Sequence, residues 1–327
     1  MSDKGPLSVR EQLAGKRLVV LGGTGFLGKV WLSLLFDRFP EIGHIYLVVR
    51  PKAGMDSQER FWSEIATSEV WDPIRERVTG FEAFLKEKIT AIPGDVGHDF
   101  AGVPPEVRDT IRGSIDAVVN VAGVVDFQPP LDYALKANAF GMQNLIALVR
   151  DLGEGTKFMH TSTCYVAGDR TGQVDEVHPL EHPFPKCGEL AKEHWDAARE
   201  ISECLDMVEH VKHRANDAFR QSDFLDTAKQ NLIDKGEPAR GSALQDELVK
   251  VKRTFVENRL RDDGTERAKF WGWHNTYTYT KSIGEQILCN SGLDFAIVRP
   301  AVIESAVAYP RIGWCEGINT STPLIYL

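Results

Sequence analysis

The chain has 327 residues, 43% of them hydrophobic and 26% charged, with a formal net charge of −9. That is the balance of an ordinary globular protein with ample material for a core, arranged as one large domain or two unequal ones. The acidic excess argues against nucleic acid as the main partner, because binding a phosphate backbone needs a basic face; local basic clusters can still hold a smaller anion.

After a polar lead at 1–15, Leu18-Val-Val-Leu-Gly22 reads as a strand over 17–22. Leu27, Trp31, Leu34 and Leu35 follow at helical spacing, which predicts a helix over 25–39. Glycines at 22, 25 and 28 therefore form G-x-x-G-x-x-G across a strand-to-helix turn. Gly22 permits the tight turn, Gly25 lets backbone amides approach a pyrophosphate, and Gly28 lets the helix pack close. The amides and positive end of the new helix suit phosphate oxygens. The alternative is a tight turn that holds no ligand.

The second strand, His44-Ile-Tyr-Leu-Val-Val49, ends in Arg50-Pro51-Lys52. A basic residue at this tip suits a ribose 2′-phosphate, whereas an acid would bond a 2′-hydroxyl, so Arg50 and Lys52 favour NADP over NAD. A solvated loop cation is the plainer alternative. Polar helices are expected over 56–87, then a third strand at 88–92 closed by Pro93-Gly-Asp95-Val96. Asp95 could face the adenine amine, although aspartate also suits a turn. A helix near 104–112 and a fourth strand over 115–121 lead to Ala122-Gly123, small enough for a cofactor to pass close by. A long helix near 131–150 carries Asn138, and the fifth strand, 157–161, runs into Ser162-Thr163-Cys164-Tyr165. Alternating strands and helices with short connections predict a doubly wound parallel sheet.

That alternation stops at a Pro-rich loop over 171–186 and a charged stretch over 187–270. Two helical stripes, Ala198/Ile201/Leu205/Val208 and Leu244/Leu248/Val251/Phe255, flank Lys235-Gly-Glu-Pro238 and predict an inserted helical hairpin or small bundle. A helix at 277–290 and a strand at 295–298 resume the first pattern. The fold class is α/β: a Rossmann-like doubly wound parallel sheet with a helical insertion and a short C-terminal substrate-side segment. The expected boundaries are a dinucleotide-binding domain at 1–186, the insertion at 187–270, a return to the sheet domain at 271–300, and the substrate-side region at 301–327.

Tyr277-Thr-Tyr-Thr-Lys281 puts two reactive side chains four apart on one helix face. In such a site a tyrosine hydroxyl gives a proton to a carbonyl oxygen as hydride reaches the carbon, and a nearby ammonium lowers the tyrosine pKa. The same lysine can hold the nicotinamide ribose. A strand-end hydroxyl would bond the developing oxyanion. Tyr279, two residues from Lys281, points off that face.

Two other patterns carry less. His178-Pro-Leu-Glu181-His182 fits H-x-x-E-H, but its neighbouring prolines speak against the helix that zinc ligation needs. Cys164 lies beside the hydroxyl cluster, with no histidine or base placed near it by sequence, and reads as structural. The five cysteines are scattered and never form C-x-x-C, which reads as reduced thiols in a cytoplasmic protein with no metal site. No signal core opens the chain and no run reaches membrane-spanning length, while peripheral membrane contact stays open.

The glycine pattern, the Ser/Thr cluster and Tyr277-x-x-x-Lys281 together resemble an extended short-chain dehydrogenase/reductase. More narrowly, Gly22-Gly-Thr-Gly-Phe-Leu-Gly-Lys, Leu47-Val-Val-Arg50-Pro, His160-Thr-Ser-Thr-Cys-Tyr-Val166, Asn275-Thr-Tyr-Thr-Tyr-Thr-Lys281, Val298-Arg-Pro300 and Gly313-Trp-Cys-Glu-Gly-Ile-Asn319 resemble fatty acyl-CoA reductases. The likeness runs over nearly the whole chain. It implies NADPH-dependent reduction of a long-chain fatty acyl-CoA, or acyl-carrier, thioester to an aldehyde, and in some members onward to the alcohol. It also implies site roles: Gly22, Thr24, Gly25, Phe26, Leu27 and Gly28 at the pyrophosphate, and Arg50 with Lys52 at the 2′-phosphate. Asp95, Val96, Ala122, Gly123, Asn138 and Lys281 complete the cofactor contacts. Tyr277, Lys281 and Thr163 are the catalytic set, with Ser162 as second choice for the hydroxyl. The charged insertion resembles that of bacterial acyl-CoA reductases and could cover the acyl site or bind a carrier. Because full-length members carry a further C-terminal domain, the apolar end Pro323-Leu-Ile-Tyr-Leu327 reads as a bacterial reductase domain cut from a longer chain. The competing readings are a sugar or sterol dehydrogenase or epimerase on the same scaffold, and a catalytically idle NADP-binding interaction module.

Overall fold

The computed structural model describes residues 7–52, 54–123, 126–191 and 195–317. The calls at Asn319 and at Pro323 to Leu327 lie outside these residues. The chain divides into two units, one of residues 1–123, 140–164 and 288–327, the other of residues 124–139 and 165–287.

The first unit is built on six parallel strands: β1 (Arg17–Leu21), β2 (His44–Val49), β3 (Ile89–Pro93), β4 (Ala117–Asn120), β5 (Lys157–Thr161) and β6 (Phe295–Val298). Their order is β3-β2-β1-β4-β5-β6. Near-continuous apolar, β-branched runs suit strands covered on both faces, and Val19, Val20, Leu47 and Val118 are fully buried. The sheet is flanked by α1 (Val9–Leu13), α2 (Phe26–Arg38), α3 (Ser57–Arg60), α4 (Asp72–Arg77), α5 (Phe81–Lys88) and α6 (Pro105–Ile111). Further along the chain come α7 (Leu131–Leu135), a π-helical segment Lys136–Phe140 and α8 (Gly141–Leu152). On one side Leu32, Leu35 and Phe36 of α2 join Val20, Ile45, Leu47, Phe61 and Trp71 in an apolar core cluster.

Strand order reverses between β1 and β4, and at such a switch point the connections part and leave a crevice at the carboxyl ends of the strands. Leu21 lies opposite Val48 and Asn120, so Gly22 and Val121 leave the sheet side by side. Three strand ends differ from the sequence reading. Gly22 leaves β1 at φ +87°, Pro93 completes β3, and β4 stops at Asn120, whose side chain turns back to the backbone of Ala122.

The second unit contains α9 (Ala197–Arg214), α10 (Ala218–Asp234), α11 (Gly241–Trp271) and most of α12 (Thr276–Cys289). Of the two expected forms, a hairpin or a small bundle, the inserted stretch takes the second, with three helices, α9 to α11. The missed break is at Asn216, whose side-chain amide donates to the Lys212 carbonyl at 2.9 Å and closes α9. The stripe on α9 also differs: Leu205 is exposed, and the buried face is Glu200, Ile201, Cys204, Val208 and Val211. Ile201 and Val208 of the expected stripe are on that face, whereas Ala198 is exposed and Glu200, a polar residue, takes its place.

Among the described residues no helix is long and apolar enough to cross a membrane.

Candidate active site

The turn from β1 into α2 shows which glycines the fold itself needs. At Gly22 a Cβ would stand 2.3 Å from the Ala122 backbone nitrogen, and at Gly28 it would stand 2.2 Å from the Gly22 carbonyl oxygen. Gly23, which the sequence reading did not assign, faces the ends of two flexible side chains instead, with a Cβ at 2.5 Å from Leu47 and 2.8 Å from Leu32, so it is less strictly required. Gly25 is different: it is exposed, with φ −84°, and a Cβ there would meet only the Gly22 oxygen, at 3.5 Å. Among the described residues no packing forbids a side chain at Gly25, so the open space at the N-cap of α2 fits a pyrophosphate approaching the amides of Phe26 and Leu27. A 13-residue helix starts there, and its N-terminus carries about half a positive charge.

The start of α2 is also held from outside. Trp314, buried, stacks on Phe26 at 5.4 Å and 19°. Lys29, also buried, pairs with Glu316 and donates to the Glu64 carbonyl at 3.2 Å, while Glu316 accepts from Ser68 at 2.5 Å. Lys29 is thereby committed to the protein rather than to a phosphate.

At the tips of β2 and β3, Arg50 and Asp95 meet, with Arg50 Nε 2.9 Å from Asp95 Oδ2. The head of Arg50 is well exposed. Lys52 pairs instead with Glu64, which also takes Arg60 Nε at 2.9 Å, and these two cations hold the Glu64 carboxyl below its usual range. Asp95 accepts from the Gly97 amide at 2.9 Å, and the Val96 carbonyl accepts from Asn144 at 2.9 Å, fixing the loop after β3.

At the end of β4, Asn120 Oδ1 accepts from the Ala122 amide at 3.1 Å, and Asn120 Nδ2 lies 3.0 Å from His160 Nδ1 on β5. Both side chains are buried. This polar bridge between strand ends was missed from sequence, where a lone Asn after an apolar run looks like a turn residue. Gly123 is exposed with open space around it. Beyond β5, the Ser162 amide donates to the Val298 carbonyl at 2.7 Å and that of Cys164 to Pro300 at 3.0 Å. Ser162 and Thr163 are both buried, but Ser162 Oγ has no hydrogen-bond partner among the described residues. A buried hydroxyl left so costs about 1–3 kcal/mol, and Thr276 Oγ1 is in the same state.

Within the second unit, α12 carries Tyr277 and Lys281 four residues apart. Tyr277 packs edge-on against Phe127 at 5.9 Å. The spacing predicts that the ammonium lowers the tyrosine pKa; instead burial alone pushes Tyr277 up. Lys281 is buried, and loss of solvation lowers it to about 8, with Glu285 one turn along opposing that fall. Asn138 is committed to the scaffold, donating to Thr280 Oγ1 at 2.9 Å. His178 to His182 form turns, not a helix, and His178 Nδ1 accepts from the Leu180 amide, so no two-histidine helix face forms.

The all-parallel sheet order, the glycine turn and a helix bearing Tyr-x-x-x-Lys are those of the extended short-chain dehydrogenase/reductase fold. Residues 20–327 match the NAD-binding family described as Male sterility protein, and the chain belongs to that family. It is 28% identical over 318 residues to fatty acyl-CoA reductase 1 of Arabidopsis thaliana, covering 96% of this chain and 56% of that protein. It is 26% identical to the alcohol-forming fatty acyl-CoA reductase of Simmondsia chinensis, with 98% and 58% covered, and 27% identical to fatty acyl-CoA reductase 1 of Mus musculus, with 96% and 48% covered. The chain thus spans about half the length of these curated relatives. Among solved structures, the terminal R domain of the myxalamid PKS-NRPS pathway shares the fold at TM-score 0.51 and 17% identity, covering 89% of this chain and 50% of that one.

The two glycines separate fold from binding. Gly22→Ala places a Cβ against backbone at positive φ and should lower stability by roughly 2–4 kcal/mol. Gly25→Ala should change the thermal midpoint of the free protein little yet weaken dinucleotide binding at least tenfold by titration calorimetry. Unchanged binding in Gly25→Ala would remove the pyrophosphate role of that turn.

Proposed function

We propose that this chain reduces a long-chain fatty acyl thioester to the aldehyde, and on to the alcohol, using NADPH. The observation that supports this best is the buried Lys281 four residues after Tyr277 on α12, in a chain of this family. The likeness to proteins named fatty acyl-CoA reductases supports the substrate class.

Bound at the β1–α2 turn, the dinucleotide would supply hydride. The protein's part is to hold phosphates, orient the carbonyl and manage one proton. The amides at the start of α2 bind the pyrophosphate, and the exposed guanidinium of Arg50 takes the 2′-phosphate in exchange for Asp95. Tyr277, held protonated by burial, gives its proton to the carbonyl oxygen as the carbon accepts hydride. Lys281 offers its ammonium to the nicotinamide ribose and, as charge develops, to the phenolate. For the hydroxyl that bonds the oxyanion, strand counting favours Thr163, but the unsatisfied Oγ favours Ser162. Collapse of the resulting hemithioacetal passes its hydroxyl proton to the departing thiolate and leaves the aldehyde; reduction to the alcohol would consume a second NADPH and a second proton through the same tyrosine.

With NADPH and a long-chain acyl-CoA, cofactor oxidation should accompany release of free CoA, and Tyr277→Phe should lose at least a hundredfold in kcat while binding NADPH normally. Oxidation without free thiol would point to another carbonyl substrate. The proton state of Lys281 sets a pH limb: its folded-state pKa of about 8 means the ammonium is present below pH 8 and lost above it. The rate should therefore fall as pH rises through about 8, while Tyr277, raised by burial, stays protonated there. In Lys281→Met this limb should vanish. Arg50→Ala should weaken NADPH at least tenfold more than NADH, and an equal loss for both would exclude a 2′-phosphate contact.

A further inference from the structure

One heavily bonded carboxylate of the second unit has no part in the reaction above. Glu200, in the first turn of α9, is buried, and four donors converge on it. Arg267 of α11 approaches both its oxygens, at 2.7 Å through Nε and 2.6 Å through a terminal nitrogen. Trp271 Nε1 donates to Oε1 at 2.8 Å, and the hydroxyl of Tyr279 donates to the same oxygen. Cys204 Sγ lies 3.1 Å from that hydroxyl, and burial pushes its thiol up to about 11. Arg267 also pairs with Glu203.

Tyr279 stands two residues after Tyr277 and two before Lys281, about 200° around the helix from Tyr277 by helical geometry. Lys281, four residues on from Tyr277, returns to the Tyr277 face. The side of α12 opposite the reactive pair is thus tied to α9 and α11 through one buried carboxylate. The Tyr279 ring packs on Trp273 at 5.5 Å, whose Nε1 donates to the Val166 carbonyl at 2.8 Å. Gly264 adds a second tie, since a Cβ there would stand 2.8 Å from Thr276 Oγ1 at the first residue of α12. Burying a carboxylate and a guanidinium is expensive, and the pair repays it mainly by fixing geometry.

We propose that the Glu200–Tyr279 hydrogen bond sets the rotation of α12, so that the inserted helices serve as a brace for Tyr277 and Lys281. Tyr279 and Glu200 are positioning residues, and the inference rests on Tyr277 being the proton donor. A misplacement of about 1 Å at a reacting group can cost a hundredfold in rate, so a rotational tie of this kind acts on kcat rather than on ground-state binding.

The test is a double-variant cycle in the full chain with NADPH and a long-chain acyl-CoA. Tyr279→Phe keeps the ring on Trp273 and removes the hydroxyl. It should lower kcat about tenfold, with KM for the thioester and the NADPH dissociation constant each changed less than twofold. In the Tyr277→Phe background the same substitution should lower the residual rate less than threefold, because only the placement of Lys281 is left for it to disturb. Glu200→Asp, which keeps the charge facing Arg267 and withdraws the carboxylate, should show the same split and the same non-additivity. Unchanged kcat, a rise in KM alone, or losses that simply multiply in the double variant would overturn the brace while leaving Tyr277 as the donor. Full activity in Tyr277→Phe alone would overturn both readings.

Discussion

One peptide group carries most of the constraint on the nucleotide half of this protein. The backbone of Gly22 lies within a Cβ's reach of Ala122 on one side, and its carbonyl lies within a Cβ's reach of Gly28 on the other. It also accepts the Gly25 amide at 3.1 Å. The end of β1, the loop after β4 and the first turn of α2 therefore meet at a point that admits no side chain. That closeness leaves the amides at the start of α2 in the crevice of the switch point, and it makes Gly25 the one glycine of the three whose space is left to a ligand.

Both units bury charge, and in each the charge ties together segments distant in sequence. Lys29 and Glu316 join the start of α2 to the stretch after β6. Glu200 and Arg267 join α9 to α11, and Tyr279 adds α12. Such pairs contribute little net stability, because desolvation offsets most of the attraction. What they supply is register: a buried carboxylate with four donors tolerates only one arrangement of the helices around it. The same physics acts on Lys281, where burial without full compensation brings an ammonium to about 8.

The amino-acid sequence alone determined the parallel sheet and its glycine turn. Long apolar, β-branched runs alternating with helical spacing leave few other arrangements, and Gly22, Gly25 and Gly28 are legible because a strand enters them and a helix leaves. Tyr277 and Lys281 were visible for the same local reason, since four residues on a helix define a face. Arg50 and Asp95 were each legible as strand-tip residues. Their pairing was not, because it depends on how two parallel strands align.

Only the tertiary structure decided the rest. The break at Asn216 and the place of Glu200 in the buried stripe of α9 escaped a hydrophobic pattern, since a carboxylate counts as polar until its donors from α11 and α12 are in place. The strand-end count prefers Thr163 to Ser162, and that one of the two hydroxyls, Ser162 Oγ, is buried with no partner among the described residues appears only in the folded chain. The raised pKa of Tyr277 reversed the shift that spacing predicts, because burial is a property of everything packed around a residue rather than of its neighbours along a helix. Periodicity and glycine placement are local and survive in one dimension; desolvation, charge compensation and hydrogen-bond satisfaction are set by distant segments and exist only once the chain has folded.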